Sequence, residues 1–176
     1  MIAYRHCAPN LAFLWEIPDQ PAARWHRSGE GPVQYLADTP AGAWAEFIRH
    51  EEITELDDLS GVRRALWAVE LPDDLDLRTP ALPLADLLGG VDSYVACQQE
   101  AADIRASGAD GVDAVSAALQ PGAASGWTLD HGMHRTAPQD GRVFVLFGAQ
   151  PQIRGWPVVR AGAPSVEVLA ETRQFA

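Results

Sequence analysis

The sequence predicts an α+β domain, and three observations lead to that fold class. The 176 residues suit a single domain, residues 1–176, that is long enough to bury a core. Apolar residues make up 47% of the chain without approaching a membrane span, which is typical of a soluble globular protein. Predicted strands outnumber predicted helices and do not alternate strictly with them, as they would in a doubly wound sheet.

The first predicted elements are two strands and a helix. Residues 2–6 are short and mixed in polarity, which is compatible with a first strand. Val33–Ala37 is an apolar run between turn residues and therefore indicates a buried strand. Thr39 followed by Pro40 is typical of a helix start, with a hydroxyl N-cap before proline, and the helix is predicted to reach about His50.

The middle of the chain is predicted to hold a strand and the longest helix. Residues 51–58 carry five carboxylates, which we interpret as a solvated surface rather than a metal site. Residues 65–71 alternate in polarity as a strand does, and the proline- and aspartate-rich residues 72–83 predict a loop. Residues 92–107 predict a helix that Gly108 closes as a C-cap residue.

The last part of the chain is predicted to contain three more strands. Residues 112–118 and Arg142–Phe147 are apolar runs of strand length. Residues 120–140 between them hold glycine, proline and polar residues without a period, so we expect a long loop that lies over a site. Residues 166–173 are predicted to close the domain as a last strand.

Charge and cysteine content narrow the possible classes of function. The formal net charge of −11 disfavours a nucleic-acid-binding protein, because phosphate contacts need a basic face. Cys7 and Cys97 are too few for a disulfide framework and indicate reduced thiols in a cytoplasmic protein. The first ten residues lack a cationic region followed by an apolar run, so we predict neither a secretory signal nor a membrane anchor.

The common motifs for phosphate binding, hydrolysis and metal binding are missing from the sequence. It contains no GxGxxG, no GxxxxGK[ST] and no GxSxG. Its five histidines never form HExxH, and His131 and His134 have no cysteine near them, so no metal is expected. A nucleotide site in this chain must therefore be built from side chains on a split β-sheet.

Three residues whose side chains suit one ligand follow each other at intervals of eleven positions: Arg24, Tyr35 and Glu46. The planar fork of an arginine can hold two oxygens of an anion. A tyrosine offers a flat ring, and a carboxylate stabilises a developing positive charge. NAD combines these needs in its pyrophosphate, its nicotinamide and its cleavable ribosyl bond. A surface arginine or a core tyrosine is the ordinary alternative, but a glutamate between Trp44 and Phe47 would be costly to bury without a partner.

Four segments of the chain form a distinctive series: YRHC, RWHRSGEGPVQYLADTPAGAWAEFIRH, GADGVDAVSAAL and the strand RVFVLF. Together they cover about residues 5–147 and resemble the RES domain family, whose members are toxins of bacterial toxin–antitoxin pairs. The resemblance implies a split, mostly antiparallel sheet with flanking helices, similar to the ADP-ribosyltransferase fold. It also implies a toxin that consumes NAD as its substrate without a metal.

The resemblance assigns roles to five residues of this chain. Arg5 and Arg24 match the two family arginines, Tyr35 the strand tyrosine, Glu46 the helix glutamate and Ser116 the serine. These matches imply catalysis by Glu46 and Arg24, and NAD binding by Arg5, Arg24, Tyr35 and Ser116. A hydrogen bond to the ligand is expected of Ser116, since no histidine is positioned by sequence to activate it as a nucleophile. The chain departs from the usual family residues at Ala22, Ala23, His26 and Val115.

The function that the resemblance implies is degradation of NAD, with the ADP-ribosyl group passing to water or phosphate. A cognate antitoxin would neutralise the toxin and would carry the helix-turn-helix domain that this sequence lacks. Trp127, in the predicted loop 120–140, is a candidate anchor for that partner. Two other classes stay open: a mono-ADP-ribosyltransferase that modifies a cellular protein, and a non-catalytic protein-interaction domain.

Overall fold

The computed structural model describes residues 1–17 and 19–175, so that Pro18 and Ala176 lie outside the described residues. The described residues form five α-helices, namely α1 (Pro40–His50), α2 (Leu56–Leu59), α3 (Leu84–Leu88), α4 (Tyr94–Ala106) and α5 (Val166–Glu171). They also form nine strands, namely β1 (Ile2–Cys7), β2 (Val33–Ala37), β3 (Arg64–Glu70), β4 (Leu77–Arg78), β5 (Gly111–Val115), β6 (Trp127–Leu129), β7 (Met133–Arg135), β8 (Arg142–Phe147) and β9 (Arg154–Gly162).

Seven of these strands form one central sheet in the order β4-β5-β8-β2-β1-β3-β9. Every neighbouring pair in it is antiparallel except β4 and β5, which run parallel. Strands β6 and β7 form a separate hairpin. The expectation of an α+β fold with a mostly antiparallel sheet and flanking helices is confirmed.

The central sheet is split between β1 and β2. Strand β1 pairs with β3 along six residues, and β2 pairs with β8 along five. Between β1 and β2, however, Tyr4 and Ala37 are the only paired residues in the described chain. The two strands therefore separate beyond this point and leave an opening in the middle of the sheet.

Side chains replace the missing strand pairing at this opening. Nη1 of Arg5 donates to the backbone oxygen of Tyr35 at 3.2 Å. The amide of Gln20 donates to the oxygen of Val33 and accepts from its nitrogen, both at 2.8 Å. Because backbone groups left without partners are costly to bury, these contacts compensate at Val33 and Tyr35 for the strand pairing that is missing there.

The helices that position the site cover one face of the sheet. Thr39 caps α1 as predicted, and its Oγ1 accepts from the nitrogen of Gly42 at 3.0 Å. Val33, Tyr35 and Ala37 lie on one side of β2, where they pack with α4 and α1. Leu36 points to the other side of the sheet and joins a separate apolar cluster. No helix in the described part of the chain is long and apolar enough to cross a membrane.

Most element predictions are confirmed, some of them to the residue. Val33–Ala37, Pro40–His50 and Arg142–Phe147 have the bounds that the sequence indicates. The strands predicted over 2–6 and 65–71 and the helix predicted over 92–107 differ by one or two residues at their ends. Gly108 follows the helix with φ of +87°, the left-handed conformation that glycine adopts most readily. Cys7 and Cys97 are buried free thiols.

Four element predictions are corrected by the structure. The predicted loop 72–83 contains the two-residue strand β4, which forms by pairing with β5. The strand predicted over 166–173 is replaced by the helix α5 over Val166–Glu171, because the Oγ of Ser165 caps its first turn by accepting from Val168 at 3.4 Å. The predicted loop 120–140 contains the β6–β7 hairpin, whose three-residue strands are too short to show the alternation of apolar and polar residues that marks a strand. The strand predicted over 112–118 ends at Val115, so Ser116 lies just beyond it.

Candidate active site

A cleft of about 460 Å³ opens where β1 and β2 separate. Ala43, Glu46 and His50 contribute one wall from α1, and their spacing of three and four residues places them on one helix face. The volume falls within the roughly 300–1,000 Å³ of typical small-molecule sites. The residues that the sequence analysis singled out and that line this cleft are Arg5, Arg24, Tyr35 and Glu46.

Glu46 and Ser116 are hydrogen-bonded although they are 70 residues apart in the chain. The Oγ of Ser116 donates to Oε1 of Glu46 at 3.0 Å and accepts from the backbone nitrogens of Ala118 and Leu119 at 3.1 and 3.4 Å. Only 2% of Ser116 is exposed, and it lies behind Glu46 rather than on the cleft surface. Since a hydroxyl has one proton to donate, a hydrogen bond from Ser116 to a ligand would replace the one to Glu46.

The Glu46 carboxyl combines burial with nearby positive charge. Burial raises its pKa, while the hydrogen bond from Ser116 and the charges of Arg24 and Arg49 act in the opposite direction. A carboxylate that is desolvated and faces a cleft is typical of functional sites, because its charge is available to a ligand rather than screened by water.

Arg24 is held by α3 and by the segment that connects it to α4. Its Nη1 donates to the oxygen of Asp86 at 3.2 Å and to Oγ of Ser93 at 3.0 Å, and its Nη2 donates to the oxygen of Gly89 at 2.6 Å. The guanidinium also lies 4.8 Å from the centre of the Tyr94 ring. The predicted role of Arg24 in catalysis and pyrophosphate binding stays a prediction, and a ligand phosphate would have to compete with these contacts.

Arg49 is a residue of the site that the sequence analysis missed. It is 4% exposed and donates to the oxygens of Ala117, Arg173 and Gly89, the last two at 3.0 and 3.1 Å. Its guanidinium lies 4.4 Å from the centre of the Phe175 ring. The signal that could have found it is its position three residues after Glu46, which places both on one side of α1.

Tyr35 lies in the cleft with its hydroxyl already bound to the protein. The hydroxyl accepts from the backbone nitrogen of Trp25 at 3.0 Å and shares a hydrogen bond with Nδ1 of His26 at 2.9 Å. Burial raises the pKa of Tyr35 and lowers the pKa of His26, so both side chains are neutral near pH 7. The ring of Tyr35 is therefore the part that remains for contact with a ligand.

Two further arginines of the cleft, Arg5 and Arg64, lie with His6 in a second group, of which the sequence analysis identified only Arg5. Burial lowers the pKa of Arg5 to about 10, while Cys7 opposes this effect and Arg64 adds to it. Nη2 of Arg64 donates to Nδ1 of His6 at 3.2 Å, so His6 accepts this hydrogen bond as a neutral ring. Burial, together with the charge of Arg64, lowers the pKa of His6 to about 3.

The cleft has an unusual charge for so acidic a chain. It is lined by two carboxylates and four arginines, namely Glu46, Glu51, Arg5, Arg24, Arg49 and Arg64. None of these arginines forms an ion pair with a described carboxylate. Unpaired guanidinium groups in a concave site indicate an anionic ligand. The described residues contain no group of three His, Cys, Asp or Glu side chains that could hold a metal ion.

Comparison with known proteins identifies the family of the chain. The model of the RES domain matches residues 4–161. The chain belongs to the RES domain family. The match extends beyond residues 5–147, over which the sequence resemblance was found, and confirms that resemblance.

A solved structure supports the same fold for this RES domain. The structure is similar to a chain in the crystal structure of the M. tuberculosis MbcT–MbcA toxin–antitoxin complex, with a TM-score of 0.62. The alignment covers 90% of this chain and 84% of that chain at 16% sequence identity, a level that shows the fold alone. A comparison with curated proteins gives no match.

Proposed function

We propose that this RES domain is a toxin that cleaves NAD at the nicotinamide–ribosyl bond. The observation that carries the proposal is Glu46, a half-buried carboxylate held by Ser116 at 3.0 Å inside a cleft that also holds arginines without an ion-pair partner among the described residues. A ligand for such a cleft has to bring anionic groups for the arginines and positive charge for the carboxylate. NAD does so, with its pyrophosphate and its cationic nicotinamide ring.

Glu46 would act on the ribose as the bond to nicotinamide breaks. The electron pair of that bond leaves with nicotinamide, which becomes neutral, and positive charge develops on the ribose. A fixed carboxylate stabilises this charge more strongly in the transition state than in the bound substrate, which is the condition for catalysis. Ser116 would act as a positioning residue, because its hydrogen bond fixes the carboxylate and favours the charged form.

Arg5, Arg24 and Tyr35 would hold the rest of the ligand. The arginines are proposed to contact the pyrophosphate through their planar forks, and Tyr35 to stack on the nicotinamide or ribose side. The likeness to the ADP-ribosyltransferase fold, implied by the sequence resemblance, supports this arrangement, since the cleft lies at the split of an antiparallel sheet. Water or phosphate would then accept the ADP-ribosyl group.

We also propose a cognate antitoxin that binds this RES domain in the cytoplasm and carries a helix-turn-helix domain. The similar M. tuberculosis structure is that of a toxin–antitoxin complex, which supports a protein partner. The β6–β7 hairpin offers a contact surface, since Trp127, Leu129 and Met133 are 58, 84 and 66% exposed. Large exposed apolar side chains of this kind, aromatic ones above all, are typical anchors in protein interfaces.

Incubation of the purified chain with NAD, followed by mass spectrometry of the products, tests the reaction. Free ADP-ribose indicates hydrolysis and its phosphorylated form indicates phosphorolysis, whereas label on a protein indicates ADP-ribosyl transfer. Glu46→Gln should abolish whichever product is seen. Glu55→Gln is the matched control, because Glu55 is exposed and makes no side-chain capping bond. Intact NAD with the folded wild-type chain would contradict the proposal and favour a binding domain.

A further inference from the structure

The four arginines of the cleft fall into two groups by their hydrogen bonds. Arg24 and Arg49 are used by the protein itself: each donates through both terminal nitrogens, and both donate to the oxygen of Gly89. Most of the acceptors are backbone carbonyl oxygens, which hold these two guanidinium groups in place without neutralising their charge. Both side chains are therefore fixed around Glu46, and a ligand phosphate would reach Arg24 only by competing with these contacts.

Arg5 and Arg64 are much less engaged. Each donates one hydrogen bond from a terminal nitrogen, Arg5 to the oxygen of Tyr35 and Arg64 to Nδ1 of His6. The Nε atoms of both are buried and have no hydrogen-bond partner among the described residues. A buried donor without a partner is destabilising, more so when it is charged, so a ligand that accepts from it removes that cost.

These two arginines are also close enough to affect each other. The charge of Arg64 contributes to the lowered pKa of Arg5, and no described carboxylate lies within ion-pair distance of either group. Two like charges in a partly desolvated cleft repel each other, and an anion between them removes the repulsion.

The backbone positions Arg5 and Arg64 on adjacent paired strands. In the β1–β3 ladder Arg5 lies opposite Trp67 and His6 opposite Leu66. The pairing of β3 with β9 shifts register between Arg64 and Leu66 and again between Leu66 and Trp67. Such irregularities twist a strand and re-aim its side chains, and they are frequent next to functional sites.

We infer that Arg64, oriented by His6, forms with Arg5 the part of the cleft that binds the diphosphate of a nucleotide. The hydrogen bond to His6 occupies Nη2 of Arg64, and Nε and Nη1 have no acceptor among the described residues. A diphosphate has enough oxygens to accept from both guanidinium groups at once. The inference deepens the proposed function by adding Arg64 to the site, and it requires binding but no catalysis.

Calorimetric titration of the full chain with inorganic pyrophosphate and with ADP tests this inference. Arg64→Gln should weaken the binding of both probes about tenfold or more, the effect of one lost hydrogen bond to a charged group. Arg63→Gln is the matched control and should stay within about twofold. Arg63 is exposed and donates to the oxygens of Ser60 and Val62, outside the cleft.

Three results would overturn the inference: no binding of either probe to the wild-type chain, unchanged affinity in folded Arg64→Gln, or an equal loss in Arg63→Gln. If Arg64→Gln does not fold, the inference is tested with the Nε–Hε NMR signals of the wild-type chain. These signals are assigned by comparison with Arg64→Lys and Arg5→Lys. Pyrophosphate should move the signals of Arg5 and Arg64, and signals that do not move refute the inference.

NAD turnover measured on the same samples keeps the two proposals distinguishable. Arg64-dependent binding of pyrophosphate to a chain that leaves NAD intact supports this inference and contradicts the proposed reaction. Cleavage of NAD with a KM that Arg64→Gln leaves unchanged supports the reaction and contradicts this inference.

Discussion

Replacing Glu46 with glutamine should separate the stability of this RES domain from its activity. The amide keeps the shape of the side chain, and its carbonyl oxygen can still accept from Oγ of Ser116. Only the negative charge is lost. Because burial raises the pKa of Glu46, the folded chain holds the charged form less favourably than the unfolded chain does. We therefore expect Glu46→Gln to unfold at the same temperature as the wild type or at a higher one near pH 7.

The loss of activity follows from what the charge does in the cleft. Removal of one preorganised electrostatic contact to a transition state costs about 2.7–4 kcal/mol in comparable sites. Each 1.36 kcal/mol corresponds to a tenfold change in rate, so kcat should fall at least about a hundredfold. The binding of NAD should change less, since the arginines that we propose to contact its pyrophosphate are intact.

The assay combines three measurements on one sample: NAD turnover at saturation, NAD affinity by calorimetry, and thermal unfolding at several pH values. The stability difference between the two chains has a defined sign. A carboxyl whose pKa is raised in the folded state destabilises the fold as pH rises through that pKa, so the advantage of Glu46→Gln should shrink as pH falls. Turnover within about tenfold of wild type in a folded Glu46→Gln would refute the role of Glu46.

Three further predictions follow from the same site. Ser116→Ala should move the acidic limb of the pH–rate profile to higher pH, because the hydrogen bond from Ser116 lowers the pKa of Glu46 and the variant lacks it. An acidic limb at the wild-type pH would contradict the positioning role of Ser116. Arg24→Lys and Arg5→Lys should each raise the KM for NAD more than they lower kcat, since a point charge cannot replace a planar fork, and a pure kcat effect would indicate a transition-state role. Expression of the chain alone should arrest bacterial growth and co-expression of the adjacent gene should relieve it, less effectively with Trp127→Ala than with wild type; harmless wild-type expression of folded protein would exclude a toxin.

Sequence reasoning succeeded where the signal is local. The dipeptide of Thr39 and Pro40 determines where α1 begins, and the capping bond to Gly42 lies within the same turn. Sequence reasoning failed where the apolar residues fit the period of a strand and the period of a helix equally well. The apolar residues Val166, Val168 and Leu169 suit a strand or a helix, and the cap at Ser165 decides for the helix. Strand β9 was missed because glycine and proline interrupt its pattern and most of its residues are exposed.

The site itself is formed by contacts between residues that lie far apart in the sequence, and no motif or spacing in the sequence predicts such contacts. Glu46 could be identified from its costly apolar surroundings, but its partner Ser116 is 70 residues away. Arg49 and Arg64 look like ordinary arginines of a helix and a strand in the sequence. Their place in the cleft follows from the split of the sheet, which depends on tertiary packing rather than on local preference.

The hydrogen bonds of Arg49 have a consequence for how the protein is made. Its guanidinium is held by the oxygens of Ala117 and Arg173, which follow it by 68 and 124 residues. A chain still attached to the ribosome therefore has no complete cleft until residue 173 has emerged from the exit tunnel. Synthesis that stops between residues 117 and 173 leaves Arg49 without the second of these acceptors, so the cleft is assembled late and not as α1 emerges.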